Sequence, residues 1–339
     1  MRESEFTCSE PLESSHPTRR EEGDLWAIVL AGGEGVRLRS LTRQLYGEGR
    51  PKQYAVLAGS TSLLRQTLDR VALVIPPQRT VVVTMASHAR YLEAEVTGFP
   101  NAHVLPQPSD RGTAAGVLLP AHWIRLRDPR ATVVVFPADH FIVEEALFMR
   151  HVAGVATYAR AHPEWMVLLG AQPTEPEADY GWIEPGERVG WTGRGPVYRI
   201  RGFREKPSEE VARDLFKLGH LWNTFVFATS VDALIDAGLQ CLPLLHDRLI
   251  RLGVFVGTPY ESWALRQAYQ FAPTADFSRA VLTSSSLSLA VAEVPTLTWC
   301  DLGTPERVAR SQRTLRAGPP WLVALEPGAW PPRAGRQSR

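Results

Sequence analysis

Short, continuous apolar runs recur along the chain, at residues 25–31, 79–85, 102–106, 131–136 and 165–170. Each is too short for a buried helix, and β-branched residues are frequent in them, which predicts strands buried on both faces. Between them, apolar residues return at helical spacing over 62–74, 88–97, 113–124 and 144–161. Strands alternating with helices in this way predict an α/β domain with a parallel, doubly wound sheet. Beyond residue 170 the texture changes. Residues 179–184 and 197–203 flank a segment rich in Gly, Pro and charge, which reads as a β-ribbon with a long connection. A strand at 222–227, helices at 242–252 and 263–269, and an alternating strand at 286–293 complete the pattern. Residues 1–24 are polar and aperiodic, the composition of a disordered lead-in. Residues 311–339 form a tail rich in Pro, Arg and Gly, with Trp321 and Trp330 as docking anchors, so the pattern assigns one domain to residues 25–310.

The first apolar run breaks into Gly32, Gly33 and Gly35 before helical spacing begins near Leu38. A strand, a glycine turn and a helix start together present free N–H groups to an anion, and glycine lets the backbone approach it. Arg37 and Lys52 add positive charge on the same connection, so the stretch is read as a phosphate site. Spacing excludes two well-known glycine loops. A dinucleotide fingerprint needs glycine where Leu38 stands, and a Walker loop needs Ser or Thr after the lysine, where Gln53 stands.

Composition narrows the classes further. The 339 residues can bury a full core, and a formal net charge of +1 gives no electrostatic case for nucleic acid or a membrane surface as partner. Cys8, Cys241 and Cys300 are isolated, which argues against a disulfide framework or zinc site and fits a cytoplasmic location. No run approaches the roughly twenty apolar residues of a spanning helix, and the N-terminus lacks the apolar core of a signal peptide. Lysine occurs only at Lys52, Lys206 and Lys217 in a chain otherwise served by arginine. Where a compact, mobile ammonium is needed, arginine is a poor substitute, so Lys52 and Lys206 invite a functional reason, although chance would also explain so few.

Further along, the strand at 102–106 runs into Gln107, Pro108 and the Arg111-Gly112-Thr113 start of a helix, again with free N–H donors. The strand at 131–136 delivers Asp139, and in open α/β sheets ligands bind beyond the carboxyl ends of the strands, where such a carboxylate would hold a metal. His140 beside it reads better as a loop-shaping hydrogen-bond partner than as a base. Glu205-Lys206 ends the ribbon; alone, it would read as a solvated surface ion pair.

Taken in order, these motifs resemble one family. Leu30-Ala31-Gly32-Gly33-x-Gly35-x-Arg37-Leu38 followed by Arg50-Pro51-Lys52-Gln53 is similar to the signature of the sugar-1-phosphate nucleotidyltransferases, and the Pro-Lys-Gln ending resembles their mannose-1-phosphate guanylyltransferase branch. The resemblance implies a Rossmann-like, doubly wound mixed sheet of the GT-A-like type with the β-ribbon as sugar-binding subregion. It implies nucleotide contacts from Leu30, Ala31, Gly32, Gly33 and Gly35, and base contacts from Gln107, Arg111, Gly112 and Thr113. Tyr180, Gly181, Glu205, Lys206 and Asn223 would hold the sugar phosphate. Asp139 and Asp301, the latter in a Trp-x-Asp-x-Gly step, would hold Mg²⁺, with Arg37, Lys52 and Asp139 as the catalytic set. The substrates implied are a nucleoside triphosphate, with GTP favoured, and a hexose 1-phosphate, with mannose favoured; a homodimer is compatible with this. Other bases or hexoses, and a non-catalytic regulatory homologue, stay open. The chain departs from the commoner pattern where glycine is usual near Thr224, a side chain expected to narrow the sugar pocket. It departs again in the inserted Tyr46-Gly47-Glu48-Gly49 and in Ser40, where proline is usual, which together suggest a longer or more mobile glycine loop.

Overall fold

A computed structural model describes residues 24–294 and 297–314 of the protein. The lead-in before Asp24, with Cys8, and the tail with Trp321 and Trp330 lie outside the described residues. The expected alternation is present. β1 (Leu25–Ala31) passes through the glycine turn and one 3₁₀ turn into α1 (Arg39–Tyr46). Then come α2 (Leu63–Val71), β2 (Thr80–Met85), α3 (Ala89–Val96), β3 (His103–Gln107), α4 (Gly112–Arg125) and β4 (Thr132–Pro137). A short β5 (Phe141–Ile142) precedes α5 (Glu145–Ala161) and β6 (Met166–Ala171). The hairpin β7 (Gly181–Trp191) and β8 (Pro196–Glu205) leads to α6 (Glu209–Lys217) and β9 (Leu221–Ser230). The described chain closes with α7 (Val231–Cys241), α8 (Pro243–Ile250), α9 (Glu261–Phe271), β10 (Leu289–Val294), β11 (Trp299–Cys300) and α10 (Pro305–Thr314).

The main sheet is mixed, in the order β3-β2-β1-β4-β9-β6-β10-β8-β7. β1 runs parallel to β2 and β4, whereas β9 is antiparallel to both β4 and β6. Alternate residues of one strand feed opposite cores, as the two-residue period of a strand requires. Ile28, Val81 and Val133 pack under α4 and α7; Val29, Val82 and Val134 pack under α2 and α5. Each such fully buried aliphatic contributes about 1.5–3 kcal/mol. Ser62, Ser208 and Ser230 cap α2, α6 and α7 by accepting from a backbone N–H three residues on. Among the described residues no helix is long and apolar enough to cross a membrane.

Two expectations need correcting. The β-ribbon has no long connection: its strands extend through the polar segment to a turn at residues 192–195, where the Thr192 hydroxyl accepts from the N–H groups of Arg194 and Gly195. The helix expected at 242–252 begins instead at Pro243 and follows α7 directly, because proline suits the first helical position and cannot extend the helix before it. α10, which spans Arg310, closes the described chain at Thr314.

Candidate active site

The carboxyl ends of β1, β2, β3 and β4 open into a cleft of about 390 Å³, with Leu30, Met85, Gln107 and Pro137 along that edge. Its opposite wall comes from the β7–β8 hairpin and β9. Leu30, Gly32, Gly33, Arg37 and Lys52 line the cleft; Ala31 and Gly35 do not, and they act on the shape of the turn. The Gln53 side chain donates to the carbonyls of Ala31 (2.8 Å) and Gly33 (2.9 Å), holding the turn from beneath. Gly35 has φ +59°, and a Cβ there would lie 2.8 Å from the Lys52 nitrogen. Its glycine is therefore required by the close passage of the Lys52 segment. The inserted stretch ends α1 at Gly47 and is tied down: the Tyr46 hydroxyl accepts from the Val56 N–H at 2.7 Å, and the Arg50 guanidinium covers the Tyr46 ring.

Charge converges at the centre. The Lys52 ammonium lies 2.9 Å from Asp139 Oδ2 and donates to the Asp301 carbonyl at 2.6 Å. Asp301 Oδ1 accepts from the Tyr180 hydroxyl, the Gly303 N–H and Arg307 at 2.9–3.0 Å, while its Oδ2 faces Arg37 at 3.7 Å. Burial pushes this carboxyl up, but Lys52 and Arg307 outweigh it, so Asp301 stays ionised below its ordinary range. Burial and then the Asp301 charge push the Tyr180 phenol upward, keeping it a neutral donor. His140 is depressed to about 4 chiefly by burial and accepts from the Trp299 indole at 3.3 Å, which fits loop shaping and leaves a neutral imidazole at pH 7.

At one end of the cleft, Gln107, Gly112 and Thr113 line the wall as expected. Arg111 is a correction: it points away from the cleft, its guanidinium donating to the carbonyls of Tyr269 (2.7 Å) and Gln270 (3.2 Å) at the end of α9. The segment that follows straps this loop down. The Ala275 carbonyl accepts from the Ala114 N–H, Ala275 N–H donates to the Arg111 carbonyl, and Phe277 N–H donates to the Thr113 hydroxyl. A Cβ at Gly112, where φ is +77°, would sit 2.2 Å from the Ala275 oxygen. Gly112→Ala is therefore expected to cost about 2 kcal/mol or more through left-handed strain and clash, and a denaturant titration checks this.

On the side of the β7–β8 hairpin, Tyr180, Gly181, Glu205, Lys206 and Asn223 meet as expected. Lys206 stands 3.5 Å from Glu205, whose carboxyl is raised mainly by burial, against the pull of the ammonium. Thr224 does not narrow this pocket. It is buried, its hydroxyl donating to the Leu169 carbonyl at 2.7 Å and accepting from Val226 N–H at 3.2 Å. The neighbouring Phe225 lines the cleft instead.

Several participants lie outside the sequence-based set. Asp179 pairs with Arg37 at 2.9 Å, and Arg307 bridges Asp301 to Glu177 (2.6 Å) while covering the Tyr180 ring. Asp110 and Asp276 also line the cleft. Asp179 adjoins the Tyr-Gly motif and could have been suspected from that; nothing local marks Arg307.

The donor set suits a hard divalent cation held partly by substrate. Lys52 ties together the Asp139 carboxylate and the Asp301 main-chain carbonyl, both aspartates line the cleft with carboxylate oxygens, and among the described residues no cluster of three or more His, Cys, Asp or Glu forms a cage. Magnesium is commonly bound by one or two carboxylates plus phosphates, so the residues fit it.

Comparison with known proteins shows the family. The model of the family described as "Nucleotidyl transferase" matches residues 26–317. A mannose-1-phosphate guanylyltransferase of Escherichia coli is 29% identical over 211 residues, 60% of this chain and 44% of that protein. The xanthan biosynthesis protein XanB of Xanthomonas campestris is 33% identical over 228 residues, 66% of this chain and 46% of its own length. The chain thus spans less than half the length of these curated relatives. The crystal structure of mannose-1-phosphate geranyltransferase from Thermus thermophilus superposes with a TM-score of 0.72 at 30% identity, covering 85% of this chain and 78% of that one.

Proposed function

The chain belongs to the nucleotidyl transferase family, and from that premise we propose that it condenses GTP with mannose 1-phosphate to give GDP-mannose and pyrophosphate. The observation that carries this reading is that one cleft gathers three groups of residues: the strapped Gln107–Thr113 loop, the Lys52, Asp139, Asp301 and Arg37 centre, and the Glu205, Lys206 and Asn223 corner. A nucleotide sugar has three parts of matching chemistry, a base, a run of phosphates and a hexose. The choice of guanine and mannose leans on the names of similar proteins, mannose-1-phosphate guanylyltransferases among them.

The chemistry asks little of a general base. A sugar 1-phosphate has its second pKa near about 6, so its oxygen is already a nucleophile at neutrality. That oxygen forms the new bond to the α-phosphorus, the bond from this phosphorus to its bridging oxygen breaks, and pyrophosphate leaves with the electron pair. Two anions must be brought together in line, and positioning with positive charge supplies most of the acceleration. In this reading Arg37 and Lys52 neutralise the triphosphate and leaving group, while Lys206 holds the hexose phosphate against Glu205 and Asn223. Asp139 and Asp301 would hold Mg²⁺, which when bound supplies charge neutralisation on phosphate oxygens.

Pyrophosphate release should be measured with Mg²⁺, crossing GTP, ATP, UTP and dTTP against mannose and glucose 1-phosphates. Release is expected with GTP and mannose 1-phosphate. Release confined to another pair would keep the reaction and replace the substrates, whereas silence across the grid from folded, nucleotide-binding protein would sink the catalytic reading in favour of a regulatory homologue.

A further inference from the structure

We propose that Phe225 is the residue that decides which hexose 1-phosphates the cleft accepts, an inference that rests on the transfer reaction proposed above. Phe225 holds φ +57°, in the left-handed region that a bulky residue enters only at a cost of about 1–2 kcal/mol. Such strain persists where the surroundings over-determine it, and here they do. The β6–β9 ladder pairs Leu168 with Phe227 and then Gly170 with Asn223, so three residues of β9 bulge against one of β6. Side chains lock the bulge from both sides: Asn223 Oδ1 accepts from the Phe225 N–H at 2.9 Å, and the Thr224 hydroxyl joins the Leu169 carbonyl to the Val226 N–H. A bulge of this kind re-aims a side chain beside a site.

The ring is held as firmly as the backbone. Its centroid lies 6.1 Å from Phe227 and 6.0 Å from Phe277, both edge-on, and the Phe277 backbone is tied to Thr113. Phe225 follows two residues after Asn223, which crowds against Gly181 together with Glu205: a Cβ at Gly181 would lie 3.2 Å from the Asn223 Cβ and 2.8 Å from Glu205 Oε2. Asp276 and Ser278 flank Phe277 on the cleft wall. Phe225 therefore stands where the hexose corner meets the strapped loop, an aromatic side chain among Glu205, Lys206, Asn223 and Asp276. A hexose carries hydroxyls on its edge and C–H bonds on its face. A fixed aromatic wall that shares the cleft with a carboxylate accepts a sugar that turns a C–H face to the ring and hydroxyls to Glu205, and it refuses bulk added on the side of the ring. Discrimination of this steric and apolar kind is worth about 10–200-fold.

The test compares wild type, Phe225→Gly and Phe225→Leu with mannose, glucose and N-acetylglucosamine 1-phosphates at saturating nucleotide. Glycine fits the left-handed backbone conformation and leucine retains apolar bulk, so the pair separates loss of the ring from loss of the fold, which circular dichroism reads in each. Removing the ring is expected to compress the spread of kcat/KM among the three sugars by about tenfold or more, with the nucleotide KM changed by less than about twofold; leucine should stay nearer wild type. An unchanged spread in the glycine variant, a wild type that does not discriminate, or a parallel rise in the nucleotide KM would each overturn the proposal. Calorimetric titration with GDP, GDP-mannose and GDP-glucose runs alongside and needs no turnover. Should the transfer reaction itself fail, a change confined to the hexose-bearing ligands still supports the wall, and an equal change for GDP refutes it.

Discussion

Replacing Lys52 by alanine is expected to lower kcat/KM by about 10³-fold, or roughly 4 kcal/mol of transition-state stabilisation, while the chain stays folded. The side chain is only 12% exposed, and its ammonium is held between Asp139 and the Asp301 carbonyl, so it sits in a low-dielectric corner where one positive charge acts strongly on a phosphate. Arginine cannot replace it: a planar fork needs more room than the corner beside Gly35 provides, and Lys52→Arg should lose nearly as much. The fold tolerates the loss because Asp139 is 27% exposed and can take water in place of the ammonium. Steady-state kinetics beside circular dichroism decide the matter. A variant keeping more than about a tenth of wild-type kcat/KM would remove Lys52 from the chemistry.

Arg307→Met should instead cost stability, about 3 kcal/mol or more. The guanidinium is 8% exposed and pairs with Asp301, 14% exposed, and with Glu177, 22% exposed. Taking away one partner of a buried pair leaves the other charge uncompensated, and the penalty of that usually exceeds what the pair itself contributed. Asp301 would keep the Tyr180 hydroxyl and the Gly303 N–H but lose its strongest donor. Urea titration should show a lower midpoint with an unchanged slope, and Glu177→Gln combined with Arg307→Met should lose less than the two single changes added. Strict additivity would show that the two side chains do not depend on one another.

Much of the fold was legible because buried strands announce themselves. The Val-rich run ending at Phe136 admits few other readings, and it delivers Asp139 to the place where the sheet opens. Glycine and lysine usage pointed to the same centre: of the three lysines, Lys52 and Lys206 line the cleft, while Lys217 pairs with Asp214 on the exposed face of α6. Orientation was harder. Arg111 has the composition of a base-binding loop, but nothing in Arg-Gly-Thr tells whether the guanidinium points at a ligand or at the end of a helix that lies some 160 residues on. Thr224 and Phe225 differ by one position, and the bulge that buries the first and presents the second is a tertiary event between β6 and β9. Arg307 pairs with Asp301 six positions before it, but what makes it part of the site is its bridge to Glu177 and Asp179 far back in the chain, which no local spacing could reveal.

The strap between residues 111–114 and 275–277 also has a consequence in time. Loop-closure entropy makes contacts between distant segments form late, and here the loop that opens α4 is bonded to residues about 160 positions further on. Lys52 likewise finds its carbonyl partner at Asp301. As the chain leaves the ribosome, β1 to β4 can therefore assemble while the strapped loop and the centre of the cleft are still unfinished, and the nascent protein gains its ligand-holding shape only when its last described third arrives. Nucleotide added to ribosome-stalled chains ending near residue 260 should accordingly give no protection from proteolysis, and chains carrying α10 clear of the exit tunnel should be protected.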